Sequence, residues 1–217
     1  MYRGKVVPGG PAALRELSRL TITKLSVGPM DNNAYVLRCA QTGAELLIDA
    51  ADEPERILAA CGTGPLVTIV TTHRHPDHWQ ALAEIVARTG AVTVAHADDA
   101  PAIAVRTDQP VHDGDRLRFG RCELSVIHLV GHTPGSIALL YDDPTGSPHL
   151  WTGDSLFPGG VGNTRGNRAD FERLIDDVET KLFDRLPDET WVYPGHGDDT
   201  TLGAERPHLA EWRARGW

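Results

Sequence analysis

Cysteine is scarce in this chain: Cys39, Cys61 and Cys122 are all there is among 217 residues. Three widely spaced thiols, odd in number, argue against a closed disulfide framework and fit a reducing cytoplasm, each read as a small buried apolar residue. Long apolar runs are missing as well. None approaches the roughly 20 residues that a membrane span needs, and residues 1–11 lack the apolar core of a secretory signal. Positive charge is in deficit, with 21 Lys and Arg against 30 Asp and Glu and a formal net charge of -9. That balance disfavours a broad nucleic-acid surface. A side-chain nucleophile in a recognisable setting is absent too, since there is no Gly-x-Ser-x-Gly elbow and no cysteine in a motif. No repeat, low-complexity tract or linker breaks the chain. What remains is one well-cored domain of α/β or sandwich type over residues 1–217, with residues 1–18 as a loose arm or short helix, expected to meet a small molecule rather than nucleic acid or membrane.

What is there is histidine in a pattern. Thr71-Thr72-His73-Arg74-His75-Pro76-Asp77-His78-Trp79 follows a short β-branched run, residues 66–70, and precedes an amphipathic segment, residues 81–89. The cluster therefore sits where a strand ends and a helix begins. His73 and His75, two apart, leave an extended segment on the same side. Pro76 suits the opening of a helix, and Asp77 and His78 turn away from the first pair. Imidazoles suit zinc and a carboxylate adds charge compensation, so one short loop can feed two adjacent metal ions. Partners follow downstream in Gly131-His132-Thr133-Pro134-Gly135-Ser136, Trp151-Thr152-Gly153-Asp154-Ser155 and Tyr193-Pro194-Gly195-His196-Gly197. Each follows a strand-like run and lies beside Gly or Pro, where the backbone bends sharply and approaches a site closely.

The remaining elements are read from periodicity. Residues 12–20 are expected as a short helix, and residues 20–27, 34–39 and 45–49 as strands. The strand end near Asp49 and Asp52 could approach the metal site, though Asp52 is read first as the cap of a helix over residues 54–60; residues 98–105 read as a short helix capped by Asp98. Residues 111–115 are expected to make a hairpin-like turn into a strand at 116–119. Strands at 121–129 and 136–141 flank His132. Residues 170–186 form the clearest helix, with Phe171, Leu174, Ile175, Val178, Leu182 and Phe183 on one face. A closing helix over 202–215 is interrupted at Pro207. His96, His112, His128, His149 and His208 are read as ordinary surface or core histidines.

His-x-His-x-Asp-His, Gly-His-Thr-Pro-Gly-Ser, Thr-Gly-Asp-Ser-Leu-Phe and Pro-Gly-His-Gly, in that order, resemble the metallo-β-lactamase superfamily, and most of all its small glyoxalase II-like hydrolases. The resemblance runs from Val27 to Gly203. It implies an αββα four-layer sandwich with metals in a cleft at one edge of the sheets. It also implies that His73, His75 and His132 hold a first metal, that Asp77, His78 and His196 hold a second, and that Asp154 bridges both. The expected cofactor is two zinc ions, with iron or manganese as other occupants, and the expected chemistry is attack on an acyl thioester by a bridging hydroxide. His75 argues against the iron-based electron-transfer relatives, which carry glutamate there. Mononuclear-iron persulfide dioxygenases and lactone or lactam hydrolases are the neighbouring chemistries. The substrate side departs from glyoxalase II: Trp79 and Gln80 stand where small residues are expected, and Asn163 takes the place of a lysine that meets the glutathione carboxylate. Arg165 is left as a compensating cation or a solvated one. A glutathione thioester is therefore expected to be no better than a simpler one.

Overall fold

Strict alternation along the strands decides which layer each side chain enters. The structure, a computed structural model, describes residues 2–216. In the second strand, Leu20 and Ile22 point into the space between two sheets, while Leu25 and Val27 point to the outer side. Tyr35 and Leu37 against Ala34 and Val36 repeat the same division in the third.

Among the described residues the first sheet has the order β1 (Ala13–Glu16), β2 (Leu20–Val27), β3 (Asn32–Cys39), β4 (Glu45–Ile48), β5 (Leu66–Val70), β6 (Val92–His96), β7 (Gln109–Val111). It begins as an antiparallel meander and turns parallel from β4 onward. The second sheet contains β8 (Arg116–Phe119), β9 (Cys122–His128), β10 (Ile137–Tyr141), β11 (His149–Gly153), β14 (Trp191–Pro194) and β15 (Thr200–Thr201). Its order is β15-β14-β11-β10-β9-β8, and β11 and β14 run parallel. A small hairpin, β12 (Leu156–Phe157) and β13 (Gly160–Val161), follows β11. Helices α1 (Pro54–Ala60) and α2 (Leu82–Thr89) cover the outer face of the first sheet through Ile57, Leu82 and Ile85. Helices α3 (Arg168–Asp177), α4 (Leu202–Glu205) and α5 (Leu209–Arg215) cover the second through Phe171, Leu174, Leu202 and Trp212. Leu124, Leu139, Trp151 and Tyr193 meet Leu20, Ile22 and Tyr35 in the middle. This is the expected αββα sandwich.

Several local expectations are corrected. Residues 12–20 do not form a helix: β1 pairs with β2 from Ala13↔Lys24 to Glu16↔Thr21. Nor is the beginning of the chain loose. Tyr2 donates to Asp199 at 2.7 Å, and Gly4 O accepts from the buried Lys24 ammonium at 2.9 Å. The turn at residues 111–115 is no hairpin, because β7 and β8 belong to different sheets. Glu53, not Asp52, is the residue before α1, and its carboxylate takes the Gly28 N–H. Residues 100–102 form a single 3₁₀ turn preceded by Asp99, so Asp98 caps nothing there. The long helix is α3 followed by a wider π turn at Val178–Phe183.

Candidate metal centre

Four of the site's loops leave strand ends on one side of the sandwich. β5 delivers His73 and His75 and runs into a single 3₁₀ turn, Pro76–His78, which carries Asp77 and His78. The turn between β9 and β10 delivers His132, and the parallel ends of β11 and β14 deliver Asp154 and His196. Backbone bonds tie these loops together, two of the three that follow across the sheets. Ile137 N donates to Thr72 O at 2.9 Å, Gly195 N to Gly153 O at 2.8 Å, and Asn33 N to Gly195 O at 2.7 Å. Gly195 is needed for the approach, because a Cβ there would stand 2.1 Å from Asp154 Oδ1.

The seven motif residues come together as two triads around one carboxylate. His73, His75 and His132 have ring nitrogens within 4.8 Å of one another, and Asp77, His78 and His196 form a second such group. Asp154 lies between them, with Oδ2 3.6 Å from His132 Nε2 and 3.5 Å from His196 Nε2, and Oδ1 3.5 Å from His78 Nε2. Oδ1 of Asp154 is buried and has no hydrogen-bond partner among the described residues.

Hydrogen bonds on the outer nitrogens decide which nitrogen faces in. His132 Nδ1 lies 2.9 Å from Asn163 O, His196 Nδ1 2.9 Å from Met30 O, and His78 Nδ1 2.8 Å from Asp49 Oδ2. Carbonyls and carboxylates only accept, so each Nδ1 carries the proton. Thr72 Oγ1 gives its hydrogen to Asp49 and so accepts from His73 Nδ1 at 3.1 Å. All four imidazoles therefore turn Nε2 inward, the arrangement that metal-binding histidines adopt.

The inward nitrogens are spaced for a metal. His73 Nε2 and His132 Nε2 are 3.3 Å apart, and His78 Nε2 and His196 Nε2 are 3.2 Å apart. A tetrahedral zinc with bonds of about 2.0–2.1 Å separates its ligands by roughly 3.3–3.4 Å. The residues present fit the group that the donor chemistry suggests.

Charge agrees. Burial pushes the His73 and His132 imidazoles below their ordinary range, which favours the neutral form a metal requires. Burial also opposes charge on His78 and His196, but the carboxylates of Asp154 and Asp49 beside His78, and of Asp154 and Asp77 beside His196, outweigh it. His78 is raised, and His196 is raised to about 10. Asp77 is held well below the usual carboxylate range by His196, against burial and with help from Asn32. Without a cation, protons on the second triad balance the carboxylates; a dication takes their place.

Three residues here are not singled out by the motifs. Asp49 accepts from Thr72 N at 2.8 Å as well as from His78, and holds a left-handed φ of 57° to do so. Asn32 Nδ2 donates to Asp77 Oδ2 at 2.9 Å. The buried Asp99 carboxylate accepts from Arg74 N, Gly135 N and Thr133 Oγ1, tying the His73 loop to the His132 loop. Thr133 and Ser136 bond each other at 2.6 Å and so build that turn, with Asp99 rather than an imidazole as the further partner of Thr133.

A cavity of about 300 Å³ opens over the centre, lined by Met30, His75, Asp77, His132, Asp154, Asn163, Arg165 and His196. Asn163 and Arg165 thus reach the cleft as expected. Trp79 does not line it; its ring packs with the α1 and α2 layer and its Nε1 donates to Arg74 O at 3.0 Å. Arg165 is exposed, yet its Nη2 reaches His75 Nε2 at 3.1 Å.

Residues 27–196 match the model of the metallo-beta-lactamase superfamily. The chain belongs to that superfamily. It is 37% identical over 167 residues to a hydroxyacylglutathione hydrolase of a Polaromonas species, a match covering 76% of this chain. The chain spans 62% of that relative's length. Among solved structures, TTHA1623 in a di-iron-bound form is 35% identical with a TM-score of 0.70, covering 84% of this chain and 96% of that one. ETHE1 from Myxococcus xanthus is 28% identical with a TM-score of 0.76, covering 89% and 84%. Superfamily membership accords with the geometry: the chain has the metallo-beta-lactamase fold and carries two groups of His and Asp that could hold metal. No helix of the described residues is long and apolar enough to cross a membrane.

Proposed function

We propose that this protein is a metal-dependent hydrolase of small acyl thioesters in the cytoplasm. His73, His75 and His132 would hold one zinc-class dication, Asp77, His78 and His196 a second, and Asp154 both. The observation that carries this reading is the pair of donor triads around one buried carboxylate, with Nε2 turned inward on four of the histidines. When bound, two such ions supply Lewis acidity for an acyl carbonyl and a hydroxide at neutral pH. The chain's residues do the rest. Asp77 and Asp154 offset charge that neutral imidazoles leave uncompensated. Asp49, Asn32 and the Asn163 and Met30 carbonyls hold the donors in place. The cleft's acids and imidazoles are all donors, which leaves none to protonate a leaving group. A thioester suits this, because a thiol with a pKa of about 8.5 departs as thiolate with little help. The likeness to the Polaromonas relative makes lactoyl-glutathione the first substrate to assay, beside thioesters of simpler thiols.

Turnover of a thioester that is lost on chelation and restored by zinc is the expected result. A second reading, a mononuclear-iron persulfide dioxygenase, is favoured by the likeness to ETHE1. One tightly held iron per chain, with oxygen consumed on adding a persulfide, would falsify the hydrolase reading and replace it with that one.

A further inference from the structure

At the end of the sandwich away from the metal centre, two of the three cysteines meet. β3 runs from Asn32, which bonds Asp77, to Cys39, about 23 Å away at roughly 3.3 Å per residue. Cys122 opens β9 in the second sheet. Both side chains belong to the core between the sheets. One carbonyl gathers the two segments: Arg19 O accepts from Ala40 N at 2.9 Å and from the Cys122 thiol at 3.4 Å. Arg121 N, next to Cys122, donates to Cys39 Sγ at 3.3 Å, and the Cys122 thiol lies within hydrogen-bond reach of that same sulfur. Gly120, at a left-handed φ of 59°, lets the turn close over Cys39, since a Cβ there would stand 3.0 Å from its sulfur. The pair lies just beneath the surface. Arg19, Ala40, Thr42, Gly120 and Arg121 around it are exposed, and Cys122 lines a cavity of about 300 Å³ with Arg19 and Arg121.

The two thiols differ in acidity. Burial opposes a charge on Cys39, but the Thr42 hydroxyl and the N–H groups of Arg121, Thr42 and Gln41 turn toward its sulfur and bring it down to about 6. Burial pushes Cys122 up to about 12, and Cys39 beside it adds to the rise. A thiolate next to a thiol is the arrangement of an attacking and a resolving cysteine. We propose that Cys39 and Cys122 form a reversible disulfide that answers to hydroperoxides and joins the two sheets. The Cys39 thiolate attacks one oxygen of the hydroperoxide, the O–O bond breaks, and the other oxygen leaves with a proton as an alcohol or water. Cys39 is then a sulfenic acid. The Cys122 thiol attacks that sulfur, the S–S bond forms, the S–O bond breaks, and water departs with the Cys122 proton. The two sulfurs together give up two electrons, which the peroxide takes. In a reducing compartment such a bond is transient, and exchange with a free thiol reopens it. β3 begins at Asn32 and β9 leads into the His132 turn, so the bond ties together strands that serve both donor triads. Cys61 lies outside this arrangement: burial and the adjacent Glu45 push it up to about 12, and its partner is that carboxylate rather than a thiol.

The test uses the reduced full chain, treated with hydrogen peroxide, quenched with an alkylating agent and mapped by mass spectrometry without reductant. The expected result is a fall from three free thiols per chain to one, with the Cys39 and Cys122 peptides joined and lighter by two hydrogens. Dithiothreitol is expected to restore all three, and Cys61 to stay alkylatable throughout. Cys39→Ala is expected to slow the loss of the Cys122 thiol at least tenfold. Cys122→Ala is expected to leave Cys39 as a sulfenic acid that dimedone traps. The wild-type map needs no variant, so it decides the matter even where a substitution in the core disturbs folding. Three results overturn the proposal: Cys39 and Cys122 still free after Cys61 has reacted, Cys39 carried on to sulfinic acid with Cys122 free, or disulfides that form only between chains. Each of these leaves the hydrolase reading untouched, because turnover of a thioester is measured separately on the reduced chain.

Discussion

Asp154 lies between the two halves of the proposed centre, which gives it the most to test. Its carboxylate lies within 3.6 Å of an imidazole in each triad, and Oδ1 is buried without a hydrogen bond among the described residues. Asp154→Ala is expected to lower metal content at both positions and to cost more activity than Asp77→Ala, which serves one triad. Elemental analysis and turnover of the two variants check this; an Asp154→Ala protein with full metal content and near-normal rate contradicts the bridging role. His149 gives a prediction about pH. It is buried against Tyr193, and burial, aided by Arg15, lowers its pKa to about 4. The unfolded chain takes up that proton near 6.5 while the folded chain does not, so stability falls as pH drops from about 6.5 to about 4. The melting temperature of His149→Gln should decline less steeply across that window than the wild type's; parallel curves contradict the assignment. At this scale the convergence of the seven motif residues was legible, because imidazole and carboxylate at strand ends beside glycine have few other uses in combination. Asp99 and Asn32 were not, since a lone Asp or Asn after a strand reads equally as a cap or a turn, and Asp49 was legible only as a strand end able to approach the cleft. The signal for Asp49 was its place directly after β4, parallel to the strand that delivers His73.

The elements were legible wherever an apolar period survived. α2, α3 and the break at Pro207 stand close to where periodicity puts them. β1 was misread because Ala-Leu-Arg-Glu favours a helix in isolation, while an open edge of β2 supplies backbone partners that local preference cannot anticipate. The crossing from β7 to β8 was misread because a turn between two strands looks alike whether it stays in one sheet or changes sheets. One tertiary device joins elements at the site. Lys24 of β2, fully buried, donates to Gly4 O, to Gly197 O at 2.7 Å and to Asp199 at 2.6 Å. It fastens the beginning of the chain to the loop that carries His196. Lys24→Met leaves the Asp199 carboxylate buried without its cation, and breaking such a pair costs about 3–5 kcal/mol. The expected outcome is a lower denaturation midpoint and a weaker second metal position, with the His73 triad less affected. Chemical denaturation and zinc titration check both, and equal weakening at the two positions contradicts the selective part.

At the scale of the whole molecule, the sandwich brings loops from both sheets to one edge, and neither sheet alone supplies a complete donor set. His73, His75, Asp77 and His78 come from the first sheet; His132, Asp154 and His196 come from the second. The layered fold was legible through its family resemblance rather than through pattern, which alone gives two groups of strands with helices. The substrate side was least legible. Asn163 and Arg165 face the cleft, Trp79 does not, and Arg74 joins a cavity that no linear motif marks. The central claim is that two metal ions work across this edge. Elemental analysis of the purified full chain after zinc reconstitution tests it most directly. The account expects close to two zinc ions per chain in the wild type; a protein that saturates at one ion per chain contradicts it.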